Sequence, residues 1–149
     1  RVLFRSYAGI MILPQPFVKQ KGAYTVMMRK PIIFIKRDLH PAVRSIVLAH
    51  ELGHHFLHRQ EAMQSGGFHK FNLFDMQNNQ MEYEANVFAA QLKLPDEDVL
   101  ECVYNGYDIA ATARALHSDI NLVALKIAEL NRRGYQLREQ EYRNKFLRS

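Results

Sequence analysis

Cysteine is almost missing from this 149-residue chain: Cys102 stands alone, so no disulfide can close within it and no thiolate cluster can gather a metal. A reducing compartment, the cytoplasm, is the expectation. Long apolar runs are missing too. The longest near the start, Tyr7 to Leu13, falls far short of the roughly 20 residues that span a bilayer, so no membrane segment is expected. Internal repeats and low-complexity tracts are also absent, which argues against a solenoid or a disordered chain. An initiating Met is lacking as well: the chain opens on Arg1, as a trimmed N-terminus would.

What is present reads as one globular unit. The 48% hydrophobic and 23% charged content suits a single domain over 1–149 with room for a core. The net charge is +5, with much of the excess late, in Arg132, Arg133, Arg138, Arg143, Lys145 and Arg148. Nucleic acid is one partner for such a surface, but solubility alone accounts for a moderate charge.

An N-terminal segment, 1–40, carries β-branched and aromatic runs at Tyr24 to Met28 and Ile32 to Ile35, parted by Arg29-Lys30-Pro31; a short antiparallel pair is expected. Over 41–95 two helices follow. The first starts at Pro41 and runs to about His58, with Val43, Val47, His50 and His54 at helical spacing. Ser65 to Asn79 reads as a long loop, and a second helix spans about 80 to 93, with Met81, Ala85, Phe88 and Leu92 on its inner face and Pro95 as its stop. Over 96–134 the pattern is helical: Asp96 to Tyr104, then Asp108 capping Ile109 to Leu116, then Ser118 capping a helix that ends at Gly134. The last two resemble a helix-turn-helix pair, a geometry that more often packs on a core than reads DNA. Residues 135–149 form a polar tail.

The chemistry concentrates in His50-Glu51-Leu52-Gly53-His54, an HExxH motif. Four helical residues advance about 400°, so both imidazoles leave one face a turn apart and can share one ion. Imidazole suits zinc, and a catalytic zinc keeps three protein ligands and an open position for water. Glu51 flanks that face, where a general base would take a proton from the attacking water and pass it to the leaving amine. His50 and His54 continue the apolar stripe of Val43 and Val47, so they face inward, where imidazoles need partners.

Leu57 and Gln60 stand where HExxHxxGxxH would need Gly and His, which excludes that subclass. A carboxylate from a later helix is the remaining common solution. Glu82 is favoured on spacing because Asn86 lies one turn below it and can orient a histidine; Glu84 is its rival, and Asp75, His69 and Glu61 are weaker candidates. His58 continues the histidine spacing but drifts a further 40° or so around the helix, which suits a supporting role better than ligation. His55 points elsewhere, and Gly53 invites a close neighbour. Tyr83, His58 and Tyr24 are conceivable oxyanion donors.

The run Leu48-Ala49-His50-Glu51-Leu52-Gly53-His54-His55-Phe56-Leu57-His58, followed by Glu82-Tyr83-Glu84-Ala85-Asn86-Val87-Phe88-Ala89-Ala90-Gln91-Leu92-Lys93-Leu94-Pro95, resembles the ImmA/IrrE metallopeptidase family. Many relatives carry two leucines and a methionine before the proline, where this chain has Leu92-Lys93-Leu94. The resemblance implies an α+β, zincin-like domain: a small antiparallel sheet, an active-site helix, a Glu-bearing second helix and a helical C-terminal part. It further implies one Zn2+ held by His50, His54 and Glu82, with Glu51 as base, and intracellular bacterial or phage-type proteins that cleave helix-turn-helix repressors. A non-hydrolytic, zinc-containing module that docks to a repressor or to DNA is the alternative. A peptide substrate is expected to add as a strand to the sheet edge, near the 32–35 strand.

Overall fold

The computed structural model describes residues 5–7, 9–64 and 76–139. Four strands come first, β1 (Arg5–Tyr7), β2 (Ile10–Gln15), β3 (Gly22–Met27) and β4 (Lys30–Lys36). Six helices follow: α1 (Pro41–Leu57), α2 (Arg59–Gln64), α3 (Met76–Lys93), α4 (Asp96–Tyr104), α5 (Ile109–Ala115) and α6 (Ile120–Arg132).

The sheet order is β1-β2-β4-β3. The expected antiparallel pair is there as β3 and β4, with Tyr24 opposite Ile33. The sheet as a whole is mixed, however, because β2 runs parallel to β4, with Met11 opposite Ile32. A purely antiparallel sheet is thereby corrected. Its first two strands escape the sequence reading because Pro14 speaks against a ladder strand. Pro14 nonetheless lies within β2, opposite Ile35 of β4, while among the described residues β1 pairs with Ile10 to Ile12. β4 is internal, and the edge beside the helices is β3, not the 32–35 strand. The hairpin between them turns on Met28 and Arg29, both at positive φ (49° and 64°), which matches the primed turn that two-residue hairpins need.

α1 divides the interior into two apolar clusters. Leu48 and Leu52 lie against Ile10, Tyr24, Val26 and Ile33 of the sheet and Ala62 of α2. Ile46 and Ala49 join Ala89, Ala90 and Leu94 of α3 with buried residues of α4, α5 and α6. Gly53 permits the tight α1–α3 contact, since a Cβ there would stand 3.0 Å from the Ala85 Cα and 3.1 Å from the Phe88 Cβ. On α3 the inner stripe is Met81, Ala85, Asn86, Ala89 and Ala90; Leu92, expected inside, is exposed.

Asp108 caps α5 as expected, accepting from the Ala111 N–H at 2.7 Å. α6 is capped by Asp119, which accepts from Asn121 and Leu122, and not by Ser118. Every residue of α6 from Leu122 to Ile127 is buried, so this helix is a core element and not one laid into a DNA groove. Residues 76–79, expected in the loop, already belong to α3. The rest of that loop and residues 140–149 of the tail lie outside the described residues.

Lys126 is wholly buried in this core and is held by Asp96 and Gln91. Arg133 grips the same Asp96 with both guanidinium nitrogens, at 2.8 and 3.0 Å. Arg133 and then Lys126 hold the Asp96 carboxyl well below its ordinary range. A lowered carboxyl stabilises the fold above its unfolded value, near 3.9, and that contribution fades as pH falls below it. Asp96→Asn is expected to cost about 2–3 kcal/mol at pH 7, since it strips a buried ammonium of its charge partner, tempered by the partial exposure of Asp96. Urea unfolding of both proteins should show a gap that is full at pH 7 and closes towards pH 2; a gap independent of pH would refute this assignment.

Candidate metal centre

α1 delivers three histidines along one side at four-residue intervals, His50, His54 and His58, all at most 5% exposed. Pro41 at the helix start and His40, whose Nδ1 accepts from the Ala42 N–H at 3.2 Å, fix where the helix begins and so its phase. α3 brings Glu82, Glu84 and Asn86 to face them.

The Nε2 atoms of His50 and His54 lie 3.2 Å apart. The two Glu82 oxygens reach one each, Oε2 at 3.2 Å from His50 and Oε1 at 3.1 Å from His54. On the far side of His50, Nδ1 lies 2.7 Å from Asn86 Oδ1. An amide oxygen only accepts, so His50 Nδ1 carries a proton, and in the neutral ring Nε2 presents a lone pair. Two imidazole nitrogens and a carboxylate thus converge on one point. Donor atoms of a tetrahedral zinc with bonds of about 2.0–2.1 Å stand about 3.3 Å from one another, so this set fits a zinc ion in both chemistry and spacing. Glu51 is buried beside the pair, and one ligand atom from each of His50, Glu51 and His54 falls within 4.8 Å of the others.

The electrostatics tell the same story. Burial disfavours charge on both rings, but the hydrogen bond to Glu82 and the charge of Glu51 outweigh it at His50, whose pKa is raised. At His54 burial wins, seconded by repulsion from His50, and the pKa falls to about 4. Glu82 resists its own burial through hydrogen bonds from His50 and then His54, and its carboxyl is pushed well below its ordinary value. Rings this close cannot both be charged, so the pocket favours one anionic carboxylate and a single cation.

Glu84 turns to His58, with Oε2 2.8 Å from Nε2, and so stands apart from the His50–His54 pair. His55 accepts the Tyr24 hydroxyl at 3.0 Å, which ties strand β3 to the helix. Burial, opposed by Arg59, pushes the Tyr24 phenol up to about 12. Of the oxyanion candidates, Tyr24 is engaged by His55, His58 by Glu84, and Tyr83 by Glu129 and Arg132 of α6. Glu61 lies in the first turn of α2, apart from both groups; His69 and Asp75 lie outside the described residues.

Gly22 is the residue that sequence reading missed. It opens β3 against α1, where an added Cβ would fall 2.6 Å from Val47 Cγ1 and 3.1 Å from Glu51 Oε1. No spacing in the chain signals it, because the contact joins distant segments. Gly22→Ala is expected to cost about 1–3 kcal/mol by overpacking. Val47→Ala frees the tighter of these contacts, so the double variant should be more stable in urea than the two single losses predict; strict additivity would show that the strand does not press on α1 there.

The sequence profile of the family described as "IrrE N-terminal-like domain" (Peptidase_M78) matches residues 5–128. Among curated proteins, an "Uncharacterized immunity region protein 2" of Bacillus phage phi105 is 35% identical over 92 residues, 61% of this chain. The chain matches 56% of that relative's length.

Proposed function

The chain belongs to the IrrE N-terminal-like metallopeptidase family, and from that premise we propose that it is a zinc-dependent endopeptidase whose ion is held by His50, His54 and Glu82 and whose general base is Glu51. One observation supports this above the rest: three lone-pair donors meet at 3.1–3.2 Å on the side of α1 that also carries Glu51. Zinc, when bound, polarises a carbonyl and acidifies a coordinated water. Glu51, buried beside the pair, would hold the proton of an attacking water and pass it to the leaving amine. Asn86 holds the His50 ring so that Nε2 faces the site.

The substrate follows from the surroundings. β3 bonds to β4 along one side, and its start lies against Glu51. An extended peptide laid along its other side brings a carbonyl to the base. The immunity-region name of the phage relative fits a regulator as substrate, and we assign a helix-turn-helix repressor that meets the enzyme in the cytoplasm. No helix among the described residues is long and apolar enough to cross a membrane. The burial of α6 speaks against direct reading of DNA.

Glu51→Gln should keep zinc, by metal analysis of the purified protein, and lower the cleavage rate by about 10²–10⁴-fold against the repressor encoded beside its gene. His50→Ala should lose the metal as well as the activity, and a chelator should silence the wild type until zinc is returned. Full relief of repression by Glu51→Gln would instead assign the chain to a docking module. Strand addition has its own test: backbone N-methylation of a substrate peptide next to the scissile bond should lower kcat/KM at least tenfold, and an unchanged value would exclude β3 as the platform.

A further inference from the structure

The two ring ligands differ in what stands behind them. His50 leans on a neutral amide, that of Asn86. His54 leans on His58, Nδ1 to Nδ1 at 3.0 Å, and His58 in turn on Glu84, Nε2 to Oε2 at 2.8 Å. We propose that His58 and Glu84 form a relay that positions His54 and sets how tightly the centre holds zinc. This rests on the metal-site reading above and deepens it.

The proton positions follow from the end of the chain inward. An ionised carboxylate only accepts, so His58 donates from Nε2 to Glu84. With a neutral ring, His58 then has its lone pair on Nδ1, and the proton that fills the 3.0 Å contact comes from His54 Nδ1. His54 is left with its lone pair on Nε2, the atom that faces His50 and Glu82. Glu84 thus selects the ligating nitrogen of a ring it never touches. It also sends negative charge along the chain, which raises the basicity of that nitrogen.

The fold holds both relay members in place. His58 is the C-cap residue of α1, at φ −129° and ψ 23°, and its N–H still bonds to the His54 carbonyl at 2.8 Å. It therefore leaves the helical path while remaining one turn beyond His54, with ring centroids 5.1 Å apart and the ring planes tilted by 52°. That departure gives it a direction that helical spacing alone would not. Glu84 is braced by Gln80, whose side-chain amide donates to Oε1 at 3.0 Å, while Oε2 accepts from His58. One oxygen is thus reserved for the relay.

The test is zinc affinity, read by competition with a chromogenic chelator on the full chain, with far-UV circular dichroism as the check on folding. His58→Leu and Glu84→Leu should each weaken binding by about 10–100-fold. Glu84→Gln, which keeps an acceptor oxygen, should recover part of that loss, a rescue that a merely space-filling role would not give. Folded Leu variants that bind zinc as tightly as wild type would overturn the relay while leaving the metal site intact. A wild type that takes up no zinc would remove both readings at once. Where the Leu variants fail to fold, 15N imidazole spectra of the zinc-loaded wild type decide: His58 protonated on Nε2 and bare on Nδ1 supports the relay, and the opposite tautomer refutes it.

Discussion

Lone pairs that face one another repel, and this protein brings three groups that carry them to a single place. His50 and His54 come from one helix and Glu82 from another, within 3.2 Å of each other in a buried pocket. A proton shared with Glu82, or a cation between the three, relieves that repulsion, and a rigid frame keeps the groups in register. The frame is the α1–α3 contact at Gly53, where any larger residue would drive the helices apart.

Everything near the centre serves that contact. The sheet sits behind α1 and supplies Gly22 and Tyr24, which fix the edge strand against Glu51 and His55. α6 stands behind α3, and its fully buried middle makes it the wall on which the carboxylate helix rests. The C-terminal helices contribute no proposed ligand, yet they decide where Glu82 and Asn86 can be.

Much of this was legible in the chain because it is local. HExxH and the later run from Glu82 each report the content of one helix face, and helical period translates directly into direction. Pro41, Pro95 and Asp108 punctuate the helices as their chemistry dictates. Contacts between distant segments were not legible. β2 hid behind Pro14, a residue that by itself argues against a ladder strand and that only the pairing with β4 places in one. Gly22 looks like any other glycine until Val47 is placed beside it. Spacing on α3 made Glu82 and Glu84 rivals, and only the cap geometry of His58 gives the second carboxylate a partner of its own.

Buried Lys126 has a consequence for α3 that apolar packing could not supply. Alanines and leucines sliding by one turn would find an equally greasy seat, whereas an ammonium that must meet both Gln91 and Asp96 has a single address. Tyr83 bonding to Glu129 pins the other end of the same helix. α3 is therefore indexed against α6 at two points, like a key with two notches, and the height at which its carboxylates face the histidines is set from behind.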